Sequence, residues 1–334
     1  MSKSFALLAV ALLCGPAAAS PAAMAYYEGS QSNASLEAEA AVLNTVATDT
    51  FTVNKAGVVK GKVSPTLLQV ASANNIALLA VVSNWSRHGF SGGILKALLT
   101  PGAAQNAAIA NMAALALQGY AGINLDFEGV PHTDRAQYTA FAQLLATALH
   151  NEGKTLVLSL PAKTVDNPND SWTGAYDFAA LGQFTDTLQI MTYDENGPWG
   201  PPGPVAGLDW VTACIDYTET VAPAARISMG MPAYGYDWNL TAGTGTSVSY
   251  ADIPALIAQT GAVPQWNTQY ASPWFTYTAS DGSSHVVWYE NTESITMKAS
   301  FAAQAVVASV SVYTLGLEDP DYWQAVAAGF AAAR

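Results

Sequence analysis

Along the chain, short runs of apolar and β-branched residues alternate with longer stretches in which apolar residues return every three or four positions. The first pattern predicts strands and the second predicts amphipathic helices. Candidate strands fall at residues 25–28, 49–53, 76–83, 121–128, 155–162, 187–194, 226–234 and 309–316. The clearest helix follows Asp134 and sets Tyr138, Phe141, Leu144, Leu145, Ala148 and Leu149 on one face. Eight strand–helix units in succession predict an α/β fold, a (β/α)8 TIM barrel. Residues 237–290 break the rhythm, being rich in Thr, Ser, Gly, Tyr and Trp. Within them, residues 274–279 and 285–289 alternate on either side of Asp281-Gly282 and predict a hairpin. The segment is read as a small α+β insertion after the seventh strand, at the barrel end where binding loops gather.

Residues 1–25 follow another pattern. Lys3 precedes an apolar run over residues 5–13, and small residues continue to Ala23-Met24-Ala25. This predicts a secretory leader cut before Tyr26, since the run is about half of the roughly 20 residues a membrane span needs. The mature chain, residues 26–334, is then expected to be one catalytic domain without a membrane span. It is expected to act as a monomer and to be secreted or held in the periplasm or cell envelope. Cys14 leaves with the leader, so Cys214 has no partner for an intramolecular disulfide.

Composition narrows the partners. Hydrophobic residues make up 51% of the chain and charged residues 11%, which excludes a chain kept open by charge. A formal net charge of -13 repels phosphate backbones and anionic lipid, so neither nucleic acid nor a membrane surface fits as partner. His88, His132, His150 and His285 stand apart, with no metal-ligand spacing, and no glycine-rich phosphate loop or Gly-x-Ser-x-Gly elbow is present. Hydrolysis of a neutral substrate, with neither metal nor cofactor, is what remains.

The most informative stretch is Gly122-Ile123-Asn124-Leu125-Asp126-Phe127-Glu128. Alternate residues of a strand share a face, so Asn124, Asp126 and Glu128 point one way and the apolar residues the other. In a barrel the polar set faces inward near the carboxyl end, at the active-site mouth. Two carboxyls placed there raise at least one pKa, which lets a carboxyl stay protonated near neutral pH as a general acid.

With the preceding Gly119-Tyr120-Ala121 included, this stretch resembles the fourth-strand pattern of the family 18 glycoside hydrolases, Asp-x-x-Asp-x-Asp-x-Glu, in which Asp126 and Glu128 match while Ala121 and Asn124 depart. Met191-Thr192-Tyr193-Asp194 with the following Gly200–Ala206 loop resembles the sixth-strand motif of the bacterial subgroup that holds spore-cortex-lytic glucosaminidases. So do the seventh-strand stretch Met231-Pro232-Ala233-Tyr234-Gly235-Tyr236-Asp237-Trp238, Val287-Trp288-Tyr289-Glu290, and Ser83-Asn84-Trp85 with Gly89-Phe90. The resemblance implies substrate-assisted, retaining cleavage of β-linked N-acetylglucosamine glycans, of peptidoglycan or chitin type. In that scheme Glu128 is the acid, Asp126 orients the substrate acetamido group and Tyr193 donates to its carbonyl. Asn124, Asp194, Trp85, Trp199, Tyr236, Trp238 and Tyr313 are expected to bind sugar, Tyr313 standing where the family usually has Trp. Tyr193 and Asp194 face opposite sides of an ideal strand, so using both requires the strand end to bend. The alternative is a catalytically inactive, lectin-like barrel, kept open by Asn124 and Tyr313.

Overall fold

The structure, a computed structural model, describes residues 20–333. Eight parallel strands close into a barrel: β1 (Ala22–Tyr27), β2 (Thr45–Val53), β3 (Ala77–Ser83), β4 (Gly122–Asp126), β5 (Thr155–Pro161), β6 (Thr187–Met191), β7 (Ile227–Pro232) and β8 (Ser309–Tyr313). Each strand pairs with its successor, and β8 returns to β1 with Ser309 opposite Ala22, which leaves the barrel without an open edge. A short antiparallel strand, Val59–Gly61, extends β2 on the outside. The architecture is the (β/α)8 barrel that the alternation predicts.

Alternation along each strand divides the core in two. Outward residues such as Ile123, Leu125 and Phe127 join the large apolar layer beneath the helices. Inward residues Met24, Tyr26, Ala47, Leu79, Val81 and Val157 form a small plug inside the barrel. The helix Arg135–Asn151 buries Tyr138, Phe141, Ala142, Leu145, Ala146 and Leu149. Leu144 is instead 49% exposed, because the buried stripe drifts toward the two alanines at the i+4 positions from Tyr138 and Ala142. The β5–β6 crossover carries only the four-residue helix Phe178–Leu181, its remainder being loop.

The N-terminal boundary needs correction. Ala22–Tyr27 is a barrel strand in which Ala23, Met24 and Ala25 are buried and pair with β8, Met24 and Ala25 pairing with β2 as well. A cut before Tyr26 removes most of that strand and opens the barrel, so the leader boundary expected at residue 25 does not fit this fold. Residues 1–19, which carry the apolar run, lie outside the described residues.

After β7 the chain runs directly into a second sheet. Its strands are Tyr234–Asn239, Thr244–Ser249, Gln265–Asn267, Ser272–Thr278 and Ser284–Trp288, with the helix Ile253–Thr260 between the second and third. The hairpin pairs Trp274 with Trp288 and Tyr277 with His285. This sheet begins at Tyr234, three residues before the expected insertion boundary, because the chain leaves β7 and enters the new sheet with almost no connecting loop.

Candidate active site

Inside the barrel, side chains change from apolar to polar toward the carboxyl ends of the strands. Met24, Tyr26 and Glu28 succeed one another from β1, Ala47 and Asp49 in β2, Val81 and Ser83 in β3, and Val157 and Ser159 in β5. Above the plug lies a neutral polar layer. The Tyr26 hydroxyl sits 3.0 Å from Asn124 Oδ1, 3.1 Å from Ser159 Oγ and 3.0 Å from Gln189 Oε1. Asn124 Nδ2 donates to Ser159 Oγ at 2.9 Å, and Gln189 Nε2 donates to Ser311 Oγ at 2.9 Å.

Over this layer stand the acids. Asp126 is buried at the end of β4, and Glu128 follows two residues beyond the last ladder pair. The Glu128 backbone is clamped by Asn84, whose Oδ1 accepts from Glu128 N at 2.9 Å and whose Nδ2 donates to Glu128 O at 3.0 Å. Tyr176 holds the neighbouring residue by donating to Phe127 O at 2.9 Å. The chain then turns away at Gly129, whose φ of +68° is costly for any residue with a Cβ. Removal from water pushes the Glu128 carboxyl up to about 7, and Asp194 and Asp49 add to the rise. Burial, with Glu128 and Asp49 nearby, also holds Asp126 well above the usual carboxylate range. Lost solvation and like charge thus act in one direction, favouring the protonated forms.

Strand β6 ends at Met191, and Asp194 takes a left-handed conformation with φ 61°. That bend lets Tyr193 and Asp194 both line the same groove. Gly230 makes room for Tyr193, since a Cβ there would lie 2.8 Å from the tyrosine ring. Tyr193 stacks on Tyr313 with ring centres 5.7 Å apart. Asp194 Oδ1 accepts from the hydroxyls of Tyr234 at 2.7 Å and Tyr236 at 2.8 Å. Burial raises the Asp194 pKa, and these two bonds offset part of the rise. The groove has a volume of about 1210 Å³, and Asp126, Glu128, Tyr193, Asp194, Trp85, Trp199 and Tyr313 all line it.

The sequence profile of the family described as "Glycosyl hydrolases family 18" matches residues 23–318. The chain belongs to that family. A solved chitinase from Chromobacterium violaceum superposes with a TM-score of 0.88 at 40% identity, covering 93% of this chain and 99% of that one. The uncharacterized glycosylase YvbX of Bacillus subtilis is 36% identical over 291 residues, 86% of this chain and 85% of the relative. The cortical fragment-lytic enzyme of the same organism is 29% identical over 77% of this chain, which spans 61% of that enzyme's length. This family 18 hydrolase is therefore a glycosidase, similar to both chitinases and cortex-lytic enzymes.

Three of the residues expected to touch sugar lie elsewhere in the family 18 barrel. Asn124 is fully buried beneath Asp126, with its amide committed to Ser159 and Tyr26. Trp238 is only 4% exposed; its Nε1 donates to Gly200 O at 3.2 Å and anchors the loop after β6. Tyr236 stands behind the groove, bonded to Asp194 and edge-on to Trp199 at 6.0 Å. The structure also adds residues that the sequence reading left out. Glu28, Asp49, Tyr26, Tyr234, Trp172 and Trp210 line the groove, and Asn84 fixes Glu128. Asp49 was reachable by continuing the inward alternation from Ala47, whereas nothing local marked Trp172 or Trp210. Among the described residues, no group of three or more His, Cys, Asp or Glu is arranged to hold a metal ion.

Proposed function

We propose that this glycosidase cleaves β-linked N-acetylglucosamine chains with retention of configuration, using the substrate's acetamido group as nucleophile. The observation that carries the reading is Glu128: a backbone-clamped carboxyl at the barrel mouth, raised to about 7 and free of any cationic partner. Near neutral pH it holds a proton for the glycosidic oxygen. As that proton transfers, the bond from the anomeric carbon to the leaving oxygen breaks, and the acetamido oxygen bonds to the anomeric carbon. Asp126 faces the acetamido nitrogen, where positive charge develops, and the Tyr193 hydroxyl donates to the attacking oxygen. Water then opens the ring intermediate while the Glu128 carboxylate takes its proton.

The decisive experiment is Glu128→Gln assayed on N-acetylglucosamine oligomers and on peptidoglycan fragments. Turnover falls by about 10²–10⁴ while binding is retained. Binding without turnover by both forms would instead indicate an inactive, lectin-like barrel.

Export belongs to the same proposal. It is supported by Lys3, the apolar run and the small residues that follow. A β1 that begins at Ala22 supports a cut upstream of it, after the small-x-small triplet Ala17-Ala18-Ala19. The mature protein then starts at Ser20 and is secreted or held in the cell envelope. Mass spectrometry of the exported protein tests this, and a first residue within β1 would refute it.

A further inference from the structure

Tyr26, Tyr193, Tyr234 and Tyr313 pack together toward the carboxyl end of the barrel, and one of them is held differently from the rest. The Tyr26 hydroxyl is tied into the neutral layer through Asn124, Ser159 and Gln189. The Tyr234 hydroxyl donates to Asp194 Oδ1 at 2.7 Å, and the Tyr313 hydroxyl donates to Glu28 Oε1. Among the described residues, the hydroxyl of Tyr193 alone of these four finds no hydrogen-bond partner. Its ring is placed by packing instead. It stacks on Tyr313 with centres 5.7 Å and planes 29° apart, meets Tyr234 edge-on at 6.4 Å, and fills the space that Gly230 leaves.

A tyrosine hydroxyl lies on the axis about which its ring rotates, so a hydrogen bond there fixes where the ring projects, and stacking then sets its plane. The backbone beneath this contact is fixed without Glu28. Thr314 Oγ1 donates to Tyr26 O at 2.7 Å, Leu315 N to the same oxygen at 3.0 Å, and Ala233 N to Tyr313 O at 2.8 Å. The Glu28 carboxylate therefore constrains the Tyr313 side chain and not the course of the chain. Tyr313 stands where the family usually has the larger Trp, and a smaller ring offers its neighbour less contact area. A tether at its tip supplies the missing constraint. We infer that Glu28 is a positioning residue: by holding the Tyr313 hydroxyl it fixes the ring face on which Tyr193 stacks, and so aims the untethered Tyr193 hydroxyl at the substrate's acetamido oxygen. The inference rests on the role of Tyr193 in the glycosidase reading.

The test follows kcat and KM on an N-acetylglucosamine oligomer. Glu28→Ala and Tyr313→Phe each lower kcat by about tenfold and leave KM within about twofold, as expected when a reacting group is misplaced but binding is kept. Glu28→Gln keeps kcat within about threefold of the wild type, because its amide oxygen still accepts from Tyr313. The combined Glu28→Ala, Tyr313→Phe variant loses about tenfold and not about a hundredfold, since both changes cut the same bond. In a Tyr193→Phe background, where no hydroxyl remains to be aimed, neither change lowers kcat further. A raised KM with kcat unchanged would show that Glu28 bonds sugar directly. Additive losses, or full losses in the Tyr193→Phe background, would show that the effect does not pass through Tyr313 and Tyr193. Each of these results overturns the inference. Fluorine NMR of 3-fluorotyrosine placed at position 193 separates it from the glycosidase reading, because loss of the tether in Glu28→Ala broadens that signal whether or not glycan is cleaved. A wild type inert on every chain, with this broadening present in Glu28→Ala, removes the glycosidase reading and leaves the tether standing. An active wild type whose kcat and signal are both indifferent to Glu28→Ala removes the tether alone.

Discussion

Glu128 and Glu290 are two glutamates, the first partly and the second wholly buried, that the fold treats in opposite ways. Glu290, behind the barrel wall, meets Lys298 Nζ at 2.8 Å and accepts from Ser294 Oγ at 2.5 Å, with both ion-pair partners almost wholly buried. Glu128, at the mouth, has a fixed backbone, no cation, and acids for neighbours. Burial raises both pKa values, but at Glu290 the lysine and the serine oppose the rise, while at Glu128 the neighbouring Asp194 and Asp49 enhance it. A buried acid that serves structure is given a counter-charge, and one that must hold and release a proton is denied it.

Substitution at each member tests that contrast. Glu128→Gln produces the largest effect, a loss of turnover of about 10²–10⁴. The same change should leave melting temperature unaltered near pH 5 and raise it near pH 8, because it removes a carboxylate that the fold ionises reluctantly. A lowered melting temperature at both pH values would mean that Glu128 serves structure as Glu290 does.

Lys298→Met should behave oppositely. It strands the Glu290 carboxylate in the core and should cost about 3–5 kcal/mol by chemical denaturation, while the soluble fraction keeps the turnover rate of the parent. A cost near zero would show that the pair has no structural weight.

The pH dependence of stability follows from the mouth. Glu128 and Glu195 are raised to about 7 and Asp49 to about 6, with Asp126 and Asp194 shifted the same way. The folded state therefore holds more protons than the unfolded state between the ordinary carboxylate range and pH 7. Stability is greatest below that window and is lost as pH rises through it. Melting temperature should fall from pH 5 to pH 8 by roughly 5 °C in the wild type, and by less in Glu128→Gln. A rise over this interval would contradict the assigned shifts.

The smallest effect is expected at Asn124→Asp. A carboxylate placed among Tyr26, Ser159 and Gln189 adds negative charge below Asp126. The basic limb of the kcat/KM profile should then move upward by less than about one pH unit. Superimposable profiles would show that the neutral layer is not coupled to the acids above it.

Much of this protein is determined by local sequence. The strand–helix rhythm fixed the barrel, since inward and outward faces follow from a two-residue period and helices from a 3.6-residue one. The same period places Asn124, Asp126 and Glu128 on one face. Other features depend on residues far apart in the chain. That Asn84 clamps Glu128, that Trp172 and Trp210 reach the groove, and that Trp238 does not, depend on how loops from different strands meet at one barrel end. The contrast between Glu128 and Glu290 is likewise tertiary, because the pKa of an acid depends on which charges lie near it in space. The first strand shows both levels at once. A run of small and apolar residues ending at Ala25 suits a leader as well as a strand, and only pairing to β2 and β8 assigns Ala22–Tyr27 to the barrel.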